Sequence, residues 1–312
     1  MTQDSTPAAG VDIGKHSLDL AFPGEPTTQL PNTPEGHTAL LEACQARGVT
    51  RVGLEASGGY ERALVRALRG AGLDVIVFQP RQVHGFRTWH GRRAKTDRVD
   101  AALLAACAGQ HGPGRPGPDP RLAALAEPLR LVEQIGADIA QAKTRREAYE
   151  SQAIRAAITT EIARLTAWRA AELKAVAAAL RAHPDLARRL ELVLSVPGIG
   201  ERTALTLVVR MPELGALSRE QAAALAGLAP YDNSSGKREG ARRIAGGRAG
   251  VRTALYAAAL AAAFRWNPAL VDLYGRLTAR GRPHKQALVA CARKLLVFAN
   301  TVLARGTPWV KA

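Results

Sequence analysis

Between residues 10 and 80 the apolar runs are short, stop at glycine and alternate with amphipathic stretches. That pattern restricts this part of the chain to a sheet with covering helices. Val11–Asp12–Ile13 and Ser17–Phe22 read as two strands joined by a tight turn at Gly14, and a third short strand is expected near Thr27–Leu30. Thr33–Arg47 reads as a helix stopped by Gly48, Val52–Glu55 as a short apolar strand, and Gly59–Arg69 as a helix closed by glycine. Asp74–Gln79 (DVIVFQ) has the continuous apolar character of a buried strand, with Pro80 as its breaker. An Ala/Leu helix is expected from Asp97 to Gln110.

Strands first, then alternating helix and strand, is the order of an RNase H-like core. His111–Pro120 (HGPGRPGPDP) is the clearest linker. From Arg121 to about Ala182 the helical periodicity predicts two long helices, read equally as a protruding antiparallel dimerisation pair or as a solvated spacer. Beyond Leu190, ELVLSVPGIGERTALTLVVR predicts a helix, a PGIG hairpin and a second helix. AAALAGLAP then leads into a polar, glycine-rich loop, YDNSSGKREGARRIAGGRAG, and helices Val251–Phe264, Pro268–Arg280 and Lys285–Ala304 follow. The expected organisation is an α/β domain over 1–112, a helical connector over 113–188 and a mainly helical domain over 189–312.

Lys and Arg total 43 against 27 Asp and Glu, a formal net charge of +16. Such a field attracts polyanions with a salt-dependent affinity. No apolar run reaches the roughly 18 residues of a membrane span, and MTQDSTPAAG lacks the order of a signal peptide. A cytoplasmic, nucleoid-associated protein without a membrane is expected. Cys44, Cys107 and Cys291 are far apart, show no CxxC or Cys/His spacing, and are expected to be buried thiols in a reducing compartment.

Against this basic background four carboxylates stand out: Asp12, Glu55, Asp97 and Asp100. Acids beside phosphates need a divalent metal between them. Asp12 and Glu55 are expected on neighbouring parallel strands. Asp97 and Asp100 are three apart and share a helical face. Hard oxygen ligands of this kind suit Mg²⁺ or Mn²⁺, and two such ions can stabilise both oxygens of a phosphate displacement. Each acid alone also has a structural reading, since an Asp in a first helical turn is favoured by the helix dipole. Arg92, Arg93, Lys95 and Arg98 flank the last pair and fit an approaching nucleic-acid backbone.

Pro197–Gly198–Ile199–Gly200 resembles a helix-hairpin-helix turn. Gly198 and Gly200 would let the backbone approach a DNA phosphate, and the next helix start would bind it. A tight helix–helix turn needing glycine is the competing reading. Asn233–Ser234–Ser235–Gly236 precedes Lys237, Arg238, Arg242, Arg243, Arg248 and Arg252. There a serine can attack a phosphate that arginines hold, or its hydroxyl can merely donate to one. The residues alone favour the second. Lys285 and Lys294 are further candidate nucleic-acid contacts.

Taken together, Asp12, Glu55 and Lys95–Thr96–Asp97–Arg98–Val99–Asp100 resemble the DEDD tetrad of insertion-sequence transposases related to the Piv/MooV DNA invertases. PGIG, AGLAP, the Ser–Gly pair, GGRAGVRTALY, Trp266–Asn267–Pro268 and LYGRLTARGRPHKQALVACARKLL follow in the family's order, so the resemblance runs from Val11 to Trp309. It implies an RNase H/RuvC-like domain, a long helical connector and a C-terminal transposase domain. It further implies Mg²⁺ on the tetrad, and Ser235 as a nucleophile forming a transient phosphoserine link to DNA. A structured bridge RNA would pair with donor and target DNA, and dimers would assemble to tetramers with composite sites. In two places the chain departs from the pattern. Ser234 and Ser235 are adjacent where relatives often carry an acid before the serine, and Arg248 stands near where some carry a lysine. A metal-only RuvC-like nuclease or junction resolvase is the alternative enzyme, and a non-catalytic nucleic-acid-binding protein the alternative outside enzymology.

Overall fold

The computed structural model describes residues 7–89, 97–112, 119–235 and 238–310, and the side chains at 97–99, 233–235, 238–239 and 241–242 lie outside that description. The chain divides into two compact units, Met1–Gly117 and Pro118–Ala312.

The first unit is α/β. Strands β1 (Ala8–Ile13), β2 (Ser17–Ala21) and β3 (Thr28–Pro31) form an antiparallel meander. Helix α1 (Pro34–Ala46) starts where the Thr33 hydroxyl accepts from the Gly36 amide, with Pro34 in its first turn. Strand β4 (Arg51–Glu55), helix α2 (Arg62–Gly70) and strand β5 (Asp74–Phe78) follow, and β4 runs parallel to both β1 and β5. The sheet order is β3-β2-β1-β4-β5. Val11, Leu18, Leu20, Val52 and Leu54 are buried with Leu40, Leu64 and Leu68 of α1 and α2 on one face. Helices α3 (Pro80–Trp89) and α4 (Asp97–Gln110) bring Val83, Leu103, Leu104 and Cys107 together with Ile76 and Phe78. Pro80 therefore begins a helix rather than merely ending a strand. It stands in the first turn, where its missing N–H has no intrahelical partner to lose.

The second unit is mostly helical. Helices α5 (Pro120–Glu147) and α6 (Gln152–Arg181) are a packed hairpin, closed by a short turn. Its base joins the main core of this unit through Leu122, Leu125, Leu129, Val176 and Leu180, and Ile135, Ile139 and Leu165 form a small separate core further along. The segment expected as a connector thus folds as part of the second unit. Helices α7 (Pro184–Leu194), α8 (Glu201–Arg210) and α9 (Arg219–Ala226) follow. Ser218 and Gln221 close a capping box on α9, and Gly227 ends it in the left-handed region.

Strands β6 (Pro230–Ser235) and β7 (Arg238–Ile244) form an antiparallel ribbon with an irregularity between Tyr231 and Asn233. The polar stretch expected as a loop is therefore a ribbon, whose mixed charges and glycines conceal a strand period. Helix α10 (Ala249–Ala261) passes into a π-helical turn, Ala262–Trp266, before α11 (Pro268–Ala279) and α12 (His284–Arg305). By length and composition alone α12 is long and apolar enough to cross a membrane, and half of its most apolar stretch is buried inside the fold. Its Leu288, Cys291, Leu295, Leu296 and Ala299 are fully buried in the helical core. Cys44, Cys107 and Cys291 are free and buried, and burial pushes each thiol up to about 11.

Candidate active site and nucleic-acid interface

β1 and β4 pair in parallel from Ala8–Arg51 to Val11–Leu54. Asp12 and Glu55 are the next residue on each strand, so the two acids stand side by side at the carboxyl ends of their strands. Their face is fixed by two glycines. A Cβ at Gly10 would stand 2.0 Å from the Ala101 carbonyl oxygen and 2.2 Å from the Ala105 nitrogen, and one at Gly53 would stand 2.7 Å from the Leu104 carbonyl oxygen. Both glycines therefore lie against α4, and the two-residue pleat returns Asp12 and Glu55 to that same face.

The direction of α4 follows from Arg51. Its guanidinium, at the start of β4, donates to the carbonyls of Ala108 (3.3 Å) and His111 (2.8 Å) and to Asp74 (2.8 Å). The end of α4 thus lies at the start of β4, and its first turn, with Asp97 and Asp100, lies at the edge that carries Asp12 and Glu55. Asp100 is ion-paired with Arg87 of α3, both side chains being largely buried. Asp12 Oδ1 accepts from the Ile13 amide at 3.0 Å. The Asp97 and Arg98 side chains, and Arg92, Arg93 and Lys95 altogether, lie outside the described residues. Among the described residues no group of three or more His, Cys, Asp and Glu is placed to hold a metal. The topology brings the tetrad positions to one edge, and the described side chains do not form a closed ligand set.

Two loops frame this edge. After Glu55 the chain runs through Ser57–Gly58–Gly59, where Glu61 accepts from the Ser57 amide (3.2 Å), the Ser57 hydroxyl (2.7 Å) and the Gly59 amide (2.8 Å). Burial raises the Glu61 pKa, but these bonds together outweigh it and leave the carboxyl below its ordinary value. Asn32 donates to the carbonyls of Gly14 (3.0 Å) and Tyr60 (3.4 Å), joining the turn after Asp12 to the loop after Glu55, and its oxygen meets His37 Nε2 at 2.8 Å.

In the second unit, the PGIG turn joins α7 to α8. Gly198 has φ +93°, and a Cβ there would stand 2.4 Å from the Ala262 Cβ, so the structural need for glycine is real. Gly200 caps α8 with open space beside it. Ser234 and Ser235 lie on β6, paired in register with Glu239 and Arg238. Gly236 and Lys237 lie outside the described residues, as do the side chains of Ser234, Ser235, Arg238 and Arg242.

The other basic candidates separate into two groups. Arg243 and Lys285 line one cleft of about 770 Å³, with Arg282 and Arg293 beside them and Leu228, Pro230 and Val289 in its wall. Arg248 instead is bound inside the unit, bidentate to Glu213 (2.6 and 2.8 Å) and to the Arg210 carbonyl (2.7 Å). Arg252 holds the Gly246 carbonyl at 2.7 Å. Lys294 lies over the Phe298 ring at 5.2 Å and lines a second cleft with Arg276 and Asp272.

Two family models match this chain. A DEDD-type transposase model of the IS110 kind covers residues 9–150 and includes all four acids. The transposase model of the IS116/IS110/IS902 family covers residues 190–275, from before the PGIG turn to beyond the ribbon. The chain carries both transposase domains of the IS110 family.

Relatives of this transposase include the pilin gene-inverting proteins of Moraxella bovis and Moraxella lacunata, each 27% identical over 97% of both chains. An uncharacterised IS110 insertion-element protein of Streptomyces coelicolor is 36% identical over 42% of this chain and 31% of its own length. The transposase is accordingly an enzyme of DNA transposition or recombination, and DNA is its partner. Lys285 and Lys294 lie beyond both matched spans, and of the first cleft's basic residues Arg243 lies within one while Arg282, Lys285 and Arg293 do not. Sequence reasoning missed Arg87, Arg282 and Arg293. Arg87 could not be seen because its helix was not expected, whereas Arg282 stands three residues before Lys285 and shared the signal that singled out that lysine.

Proposed function

We propose that this transposase cuts and exchanges DNA strands through Ser235, with Asp12, Glu55, Asp97 and Asp100 holding Mg²⁺ in an RNase H/RuvC-like domain. The observation that carries the reading is the placement of Asp12, Glu55 and the first turn of α4 at one sheet edge. Carboxylate oxygens from two strand ends and one helix start fit a hard divalent cation that keeps waters and accepts phosphate oxygens. Bound there, Mg²⁺ would supply neutralisation of the charge that develops on the phosphate. Arg87 pairs with Asp100 at this edge, and Glu61 and Asn32 hold the loops on either side.

At the ribbon, the Ser235 oxygen forms a bond to phosphorus as the bond to the deoxyribose oxygen of the departing strand breaks, and the hydroxyl proton passes to that oxygen. A strand hydroxyl then reverses the exchange at the same phosphorus. Protomers of a dimer or tetramer complete the site, the acids of one meeting the serine of another, with the α5–α6 hairpin as a pairing element. The PGIG turn acts as a helix-hairpin-helix phosphate contact. A bridge RNA chooses the DNA, and the excess of positive charge serves both nucleic acids.

The test is covalent trapping. The protein with its co-purifying RNA is incubated with Mg²⁺ and labelled DNA spanning the element junction, then run on a denaturing gel. A protein–DNA adduct that survives Ser234→Ala and disappears with Ser235→Ala is expected. Cut DNA without an adduct refutes the serine route and points to the metal-only nuclease.

A further inference from the structure

The end of α10 carries a group of aromatic side chains that the reading above does not use. Phe264 and Trp266 are 56% and 58% exposed. They sit in the π-helical turn Ala262–Trp266, and π-helical turns are frequent at functional sites. The turn is held from below. Asn267, fully buried and extended before Pro268, donates to the Pro197 carbonyl at 3.0 Å, while Gly198 seats on Ala262.

The rings are already fixed in place. Phe264 meets the Tyr274 ring edge-on at 4.9 Å and lies 25° from the plane of His284, and the Tyr274 hydroxyl and His284 Nδ1 are 2.7 Å apart. The Arg265 guanidinium lies over Trp266 at 5.1 Å. Rings held this way lose little conformational freedom when something stacks on them.

Charge decides what that something is. Residues 240–312 hold 13 Lys and Arg and a single acid, Asp272. His284 stands between Arg282 and Lys285, which both line the basic cleft. An apolar platform with a cationic surround fits a polyanion that carries flat π faces. A duplex hides those faces in its stack, and an unpaired strand presents them.

We infer that Phe264, backed by Tyr274 and His284, forms a stacking platform for unpaired nucleobases, with Trp266 of the same turn as a second, separate ring and the strand's phosphates running toward Arg282 and Lys285. The inference rests on the reading of the second unit as a nucleic-acid surface. The bases come from a DNA strand opened during exchange or from an RNA. Both share the chemistry.

The test measures fluorescence anisotropy of the full-length protein with labelled 12-nucleotide oligo-dT, oligo-U and a 12-base-pair duplex. Phe264→Leu and Trp266→Leu remove a ring from an exposed site and leave apolar volume. Each is expected to weaken single-strand binding about ten-fold and leave duplex binding unchanged, and Phe264→Trp is expected to restore it. Tighter binding of oligo-dT or of oligo-U identifies the source of the bases, and either supports the platform. Equal losses for single strand and duplex, or no loss, overturn it while leaving the nucleic-acid reading standing. A change in sedimentation without a change in single-strand binding also overturns it, in favour of a protein contact. Failure of the unaltered protein to bind any of the three overturns both.

Discussion

Gly10→Ala tests the placement of the acids most directly. The added methyl would stand 2.0 Å from the Ala101 carbonyl oxygen, 2.2 Å from the Ala105 nitrogen and 2.9 Å from the Leu104 carbonyl carbon. All three are backbone atoms of α4, so no side chain can swing aside. Ordinary contact requires roughly 3.5 Å, and α4 must retreat from β1 by an amount on the order of 1 Å. Overpacking of a rigid core costs about 1–3 kcal/mol and sometimes more, and a clash with helix backbone alone belongs at the upper end. Gly53→Ala meets Leu104 O at 2.7 Å and the Ala108 methyl at 2.8 Å, a milder collision. Gly70→Ala meets nothing within 4 Å and is expected to be neutral or slightly stabilising. Denaturant unfolding should therefore rank the three as Gly10, then Gly53, then Gly70 in loss of stability. On the proposed mechanism strand cleavage should follow the same order, because moving the first turn of α4 by about 1 Å displaces Asp97 and Asp100 from Asp12 and Glu55 and is worth about a hundred-fold in rate. A Gly10→Ala protein with unchanged midpoint and cleavage would refute the packing of α4 on the two acid-bearing strands.

Four further outcomes follow from the same geometry. Arg282→Ala and Arg293→Ala should each lower the salt slope of DNA binding by about one, whereas Arg248→Ala should lower stability through the lost Glu213 pair and leave that slope alone; equal slopes for all three would dissolve the distinction between cleft and internal arginines. Glu61 contributes stability above the ordinary carboxylate range and loses it as pH falls through its lowered folded value, so Glu61→Gln should flatten the acid limb of stability below about pH 4.5, read from urea midpoints between pH 3 and 7. Asn32→Ala should leave the fold intact yet weaken the proposed Mg²⁺-dependent cleavage, since it unties the turns after Asp12 and Glu55; an unchanged dependence on Mg²⁺ concentration would exclude a positioning role. The three thiols, held near 11 by burial, should resist iodoacetamide at pH 8 in the folded protein and react on unfolding, as counted by mass spectrometry.

Local chemistry made much of the first unit legible. Gly48 and the Thr33 cap mark the ends of α1, and the apolar run DVIVF marks β5. Proline was ambiguous, because Pro80 can end a strand or begin a helix, and only the following turn distinguishes them. The ribbon β6–β7 was hidden for a different reason. Its residues, PYDNSS and REGARRI, are largely types depleted from strands. The extent of the second unit was hidden by range, since Leu122, Leu125 and Leu129 read equally well as the seam of a helical pair or as the wall of a larger core.

The acid cluster combines both kinds of information. Strand ends and a three-residue spacing were visible, but the end of α4 that meets the strands depends on Arg51 reaching the Ala108 and His111 carbonyls some sixty residues away. One local trace of that packing was nevertheless present. Asp12 and Glu55 each follow a glycine by two residues on adjacent parallel strands. Two glycines side by side in a sheet remove the methyl groups that keep a helix at its normal distance, so a helix can lie directly on that face. The pleat then returns the next residue of each strand to the same face, one step further along, where a side chain is tolerated only if the helix has ended. A helix antiparallel to the strands ends there with its amino terminus, whose free amides favour carboxylates. Gly-x-acid on both strands thus encodes where the helix lies and which of its ends meets the acids, and the gathering of the four carboxylate positions follows from how α4 packs.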